Sequence, residues 1–162
     1  MDSVHRLPKY IVITCFTFFI AFNLPVNAQD LSSVPFETID QGTSSYITSA
    51  TNLILYNKRE WTAFWKEHSG NTEPPSVNFR NDMVVAIMLG ARPEGCYRID
   101  IDGISKDSSG RFAGQFVVFY KETVPGNNCI CIPVITTPYH IIKTEKSRTV
   151  RFRGDVIIHD CN

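Results

Sequence analysis

Apolar positions change their period once along this chain, and the change outlines the fold. Through "NKREWTAFWKEHSG" (57–70) they recur at helical spacing, with Trp61, Phe64, Trp65 and His68 on one face. Asn57 is placed to cap this helix, Glu60 completes a capping box, and Gly70 supplies a stop. One apolar stripe is what packs a helix onto a sheet, so Trp61 and Trp65 read as core anchors before ligand-stacking rings. His68 falls in the last turn, where the helix C-terminus favours a charged imidazole.

Elsewhere the pattern is that of strands. Tyr46–Tyr56 alternates weakly and ends apolar, as a first strand. After the polar loop 71–82, Met83–Leu89 ("MVVAIML") is an unbroken apolar run, the mark of a central strand covered on both faces. "GARPEG" (90–95) is a turn. Cys96–Ile104 alternates, with Tyr97, Ile99 and Ile101 on one face and Arg98, Asp100 and Asp102 on the other. Arg111–Thr123 is a long strand with Phe112, Phe116, Val118 and Tyr120 on one side, and "VPGNN" (124–128) turns the chain again. Two β segments flank Pro138, with Pro133 limiting the first to an edge or a bend, and Thr149–Arg153 and Val156–His159 finish the chain. The expectation is a single α+β domain over 46–162, mainly antiparallel sheet, sandwich- or barrel-like, with one amphipathic helix near its start. Residues 29–45, rich in Ser, Thr and Gln, read as a flexible lead-in.

The head of the chain fixes the expected compartment. His5, Arg6 and Lys9 precede an uncharged, mostly apolar run from Ile11 to Phe22, and Val26-Asn27-Ala28 is a small-residue cleavage pattern. Twelve helical residues rise only about 18 Å, short of a ~30 Å hydrocarbon core. Residues 1–28 are therefore expected to be a cleaved signal peptide, leaving a secreted or periplasmic chain without a membrane span. Cys15 sits inside the apolar run, a poor context for lipid attachment, so a lipoprotein anchor is not expected. The whole chain carries 16 basic and 16 acidic residues. Removing Asp2, Arg6 and Lys9 leaves 16 − 2 = 14 basic and 16 − 1 = 15 acidic residues, a balance with no global pull on nucleic acid.

Cys96, Cys129, Cys131 and Cys161 remain after export, an even number in an oxidising compartment, which favours disulfides. Cys129 and Cys131, two apart on what reads as a strand, are expected to take distant partners, one Cys96 and the other Cys161, with the pairing open. His140, His159 and the thiols lack zinc-knuckle or HxxxH spacing, so neither a metal nor another cofactor is expected. No nucleophile elbow, P-loop or dinucleotide glycine pattern is present. Asp100 and Asp102 share the face where strand carboxylates ordinarily sit solvated. A non-enzyme is the reading.

Binding features are better marked. Between Lys143 and Arg153 lie Lys143, Lys146, Arg148, Arg151 and Arg153 against Glu145. With Val150 and Phe152 inward, Arg151 and Arg153 project together, as charges guarding an edge strand or as a docking stripe for an acidic surface. Arg92 and Tyr97 around one turn, with Tyr139 and His140 after Pro138, form a second candidate recognition set.

Trp61-Thr-Ala-Phe64-Trp65, Phe79, Met83-Val-Val-Ala86 running into Gly90-Ala-Arg92-Pro93-Glu-Gly95-Cys-Tyr97-Arg-Ile99, and Thr136-Thr-Pro138-Tyr139-His140-Ile-Ile-Lys143, taken in order, resemble the PrcB-like family. That family is named for the C-terminal domain of a secreted protease complex subunit, and the resemblance covers roughly 50–153. It implies a non-catalytic β-rich module that associates with and stabilises an exported partner protein, a protease by the family's name. Cys96 stands where the family commonly has a second glycine, and the resemblance carries over no catalytic residue. Two alternatives are a secreted protease inhibitor presenting "VPGNN" or "GARPEG", and a small enzyme using His140.

Overall fold

The computed structural model describes residues 31–108 and 110–161. The proposed signal segment, with Cys15, lies outside the described residues. Among the described residues eight strands and one α-helix follow in the order β1 (Leu31–Ser33), β2 (Phe36–Gly42), β3 (Thr51–Leu55), α1 (Lys58–Ser69), β4 (Asp82–Met88), β5 (Arg98–Asp107), β6 (Phe116–Pro125), β7 (Tyr139–Glu145) and β8 (Val150–His159). They form two four-stranded sheets, β1-β5-β6-β8 and β2-β7-β4-β3. The molecule is an open sandwich with α1 on the outer face of the second sheet, and the α+β expectation holds.

The apolar run in β4 explains the layering. Met83, Val85 and Ile87 join Ile99, Ile101, Phe116, Val118 and Ile142 between the sheets. Val84, Ala86 and Met88 face Trp61, Phe64 and Trp65 of α1. Every residue from Met83 to Met88 is at most 2% exposed, so β4 is covered on both sides. The helix begins as its sequence dictates. The Asn57 side chain accepts the Glu60 N–H (3.0 Å), and Glu60 reaches back to the Tyr56 N–H (2.8 Å), one residue beyond the usual capping box. Gly70 ends it with φ 74°. Trp61 and Trp65 are buried, each with its indole N–H bonded to the loop that follows, at Pro75 O and Thr72 Oγ1.

Several expectations are corrected. The lead-in expected to be flexible contains two strands from residue 31 on: residues 31–33 pair with the end of β5, and residues 36–42 pair with β7. Its polar composition suits an edge strand whose ladder bonds come from the backbone. The alternation in β5 reverses at a bulge between Ile101 and Gly103, which returns Ile104 to the core. Phe112 belongs to a 3₁₀ turn (Gly110–Phe112), not to β6. Cys129 and Cys131 lie on no strand, because 126–138 is irregular apart from a bridge between Arg92 and Thr136. The two closing segments are one strand, β8, and it pairs with β6 in parallel while every other ladder is antiparallel. Gly154 allows that continuity, since a Cβ there would lie 2.3 Å from Cζ of Tyr120.

Candidate functional site

The end of the sandwich where β5 begins and β6 and β8 finish is held covalently. One disulfide joins Cys96, before β5, to Cys131 in the β6–β7 connection, and the other joins Cys129 to Cys161, beyond β8. Hydrogen bonds reinforce both staples. Gly95 N–H donates to Ile132 O (3.0 Å), Gly126 N–H to His159 O (2.8 Å), and Arg92 and Thr136 exchange N–H···O bonds of 2.7 and 3.0 Å. The backbone is thus constrained while its side chains face water. Ile130 is fully exposed, Ile132 and Ile135 about three-quarters so, and Val134, Val156, Ile157 and Ile158 are exposed as well. Tyr46 is the remaining exposed large hydrophobic among the described residues. This exposure makes the braced end a candidate interaction surface.

Arg92 and Tyr97 border this end as struts. Arg92 gives two N–H bonds to Glu122 Oε1 (3.1 and 2.9 Å) and a third to Leu89 O (2.7 Å), and its guanidinium lies 5.7 Å from the Tyr97 ring centre. Half-buried and fully engaged, Arg92 fixes the turn.

Tyr139 and His140 do not reach the surface, which corrects their placement in a recognition set. They lie on β7, flanked by β2 and β4 and covered on both faces. His140 closes a gap in the other sheet. At Ile99–Ile101 one edge of β5 is bare, because β1 reaches only Ser105–Asp107. His140 Nδ1 accepts the Ile101 N–H (2.8 Å), and Gln41 Nε2 donates to Ile99 O (3.0 Å), so two side chains cap that edge. The acceptor role of Nδ1 puts the ring proton on Nε2, which donates to Thr38 Oγ1 (2.9 Å). Burial holds the His140 pKa below its ordinary value, against a smaller upward pull from Asp100.

A second polar chain went unseen in the sequence because its members lie on β2, a loop, α1 and β7. Asp40 Oδ2 accepts from Tyr139 Oη (3.0 Å) and from His68 Nε2 (3.3 Å), and His68 Nδ1 takes the Ser45 hydroxyl (2.9 Å). Burial, then the Asp40 carboxylate, raise the Tyr139 pKa to about 12. The order hydroxyl–imidazole–carboxylate is that of a nucleophile relay. The site is nevertheless built as a pin: Ser45 Oγ also accepts the Ile47 N–H (3.1 Å), and His68, 2% exposed, stacks on Phe64 with Tyr139 edge-on. It fastens the end of α1 to the sheet. Asp100 and Asp102 are likewise separated by their partners, Gln41 (2.7 Å) and Lys121 (2.8 Å). Among the described residues no cluster of His, Cys, Asp and Glu is set to hold a metal ion.

Arg151 and Arg153 are exposed on β8, which is an edge strand, and Lys143 lies on the other sheet with Glu37 at 3.0 Å. The basic stretch is therefore not one stripe. The exposed aliphatics of the braced end were missed as a site. Their signal was "CICIPVI", which puts one aliphatic residue between two half-cystines and three just after them, with no helix or strand to bury them.

No curated protein and no solved structure matches this chain. Two disulfides, and no helix among the described residues long and apolar enough to cross a membrane, fit an extracytoplasmic protein. Residues 83–145 match the family described as PrcB C-terminal. The matched span runs from β4 through β7 and includes Arg92, Tyr97, Tyr139, His140 and both sides of the Cys96–Cys131 staple. Over that span the chain is PrcB-like.

Proposed function

We propose that this chain is an exported, non-catalytic accessory module that associates with and stabilises a partner in a secreted protease complex. Its contact surface on this reading is the braced apolar end. The observation that carries the proposal is the combination there of a doubly stapled backbone with Ile130, Ile132 and Ile135 turned to solvent. Ordering costs on binding fall when the presenting loop is already constrained. The family supports an accessory role, since it is a protease-complex-related one.

Deleting the chain from its native cell should shorten the lifetime of an exported protease. Wild-type protein should restore that lifetime, and Ile130→Asp/Ile135→Asp, with both disulfides intact, should not. Unchanged levels of exported proteases after deletion would overturn the proposal. One observation favours a second reading, a protease inhibitor: Ile130 is fully exposed between two half-cystines, as a rigid bait loop would be. Adding purified chain to a protease separates the two, because inhibition rises to a stoichiometric end point whereas an accessory module prolongs activity.

A further inference from the structure

At the opposite end of β6 and β8 lies a cleft of about 590 Å³. Separate segments bring five cations to it: Lys106 from β5, Arg111 from the 3₁₀ turn, Lys146 and Arg148 from the β7–β8 connection, and Arg151 from β8. Among the described residues no carboxylate lines it. Two of the guanidiniums share one support, Arg111 at 4.8 Å and Arg151 at 5.3 Å from the centre of the Phe112 ring. Stacking on an aromatic face orients a guanidinium while leaving its N–H edges for a ligand. Among the described residues Arg111, Arg148 and Arg151 form no ion pair. Lys106 faces Glu145 at 3.5 Å, and Lys146 Nζ donates to Phe79 O. Asp107, close by in sequence, is buried at the end of β5 and has bonds of its own. Like charges gathered this way repel one another, and an anionic ligand relieves that.

We propose that this cleft and the adjoining edge of β8 bind an extended, carboxylate-rich peptide segment of a partner protein. The edge strand favours a peptide over a point anion, and guanidinium forks suit its carboxylates with two parallel bonds. Arg151 and Arg153 lie two residues apart on an edge strand, about 6.5 Å along its axis, which is the repeat of alternate side chains on an added strand. A chain with acids at every second position meets both arginines while its main chain bonds to the open side of β8. This surface is separate from the braced apolar end, and its test does not depend on that reading.

The probe is a fluorescent peptide of alternating Glu and Thr, titrated with the purified chain and followed by anisotropy. Binding is expected at low ionic strength and should weaken by about tenfold or more when salt shortens the screening length. Arg111→Gln/Arg151→Gln should lose about tenfold or more in affinity with an unchanged unfolding midpoint. Arg148→Gln, should the double variant fail to fold, should show a smaller loss. Arg98→Gln, an exposed arginine at the other end of the sheet, should bind as wild type does. Absence of peptide binding, or binding undiminished by the cleft variants, would overturn the proposal. So would stronger binding of a heparin oligosaccharide or inorganic phosphate at equal charge, since a polyanion or a point anion would then be the ligand.

Discussion

Strands β6 and β8 run side by side in register from Phe116 opposite Val150 to Pro125 opposite His159, yet their two ends are secured by different physics. At the first end Phe116 is 1% exposed, and Val150 and Phe152 pack against the inter-sheet core, with no covalent link. At the far end Val156 and Ile158, equally apolar, are each 68% exposed, and a disulfide holds the strand's tail. Burial of an aliphatic side chain contributes about 1.5–3 kcal/mol, and the far end forgoes it. Crosslinks supply the constraint there, which leaves the side chains available to a partner. Apolar sequence thus marks core at one end and surface at the other, and the cysteines tell them apart.

The strongest way to break this comparison is to remove the staple. Cys129→Ser/Cys161→Ser should cost about 3–4 kcal/mol, the chain-entropy value for a loop of this size. Urea unfolding would measure the total, and amide exchange its distribution. Protection should fall in 126–135 and 156–159 and persist near Val118 and Phe152. Equal loss at both ends would mean that the far end is held by packing after all.

A smaller effect tests the junction between the two regimes. Gly154 is the residue over which the Tyr120 ring lies, so Gly154→Ala forces the ring or the strand to move, at about 1–3 kcal/mol. Tyr120→Ala should recover part of that loss in a double-mutant cycle, because the clash needs both groups. Additive losses would show that the ring does not limit residue 154.

The contrast also explains what could be read in the sequence. The helix was legible residue by residue from Asn57 to Gly70, and the run Met83–Leu89 announced a strand covered twice, because both signals are local. The lead-in strands were not: Thr38 and Gln41 look like loop residues until His140 and the bare edge of β5, respectively, give them partners. The parallel pairing of β8 depends on a crossover between sheets that no local period encodes. The disulfide framework was legible as distant pairing of Cys129 and Cys131, but the strand assigned to them was not there. Of the recognition residues, Arg151 and Arg153 are exposed, whereas Tyr139 and His140 are interior. A motif reports its spacing and not which side of a sheet is covered. Ser45, Asp40 and His68 meet through tertiary structure alone.

The smallest effect concerns a polar link in the middle of the sandwich, set within the buried core. His140 links the sheets there, accepting from Ile101 and donating to Thr38. Its folded pKa lies below the value of about 6.5 it takes in the unfolded chain. The unfolded state then binds the proton first as pH falls, so the stability this site contributes is complete above about pH 6.5. It declines as pH drops from there toward the folded pKa. Protonating Nδ1 also removes the acceptor for the Ile101 N–H, which leaves that buried donor without its partner. Unfolding free energies measured across this range should decline in the wild type and decline less in His140→Gln, which is destabilised at neutral pH. Because the bond sits between the two ends, acid should speed exchange at both alike, in contrast to the one-sided opening of the cysteine variant. A titration midpoint for His140 at or above that of a free imidazole, read from its ring proton by NMR, would refute the assignment of Nδ1 as acceptor.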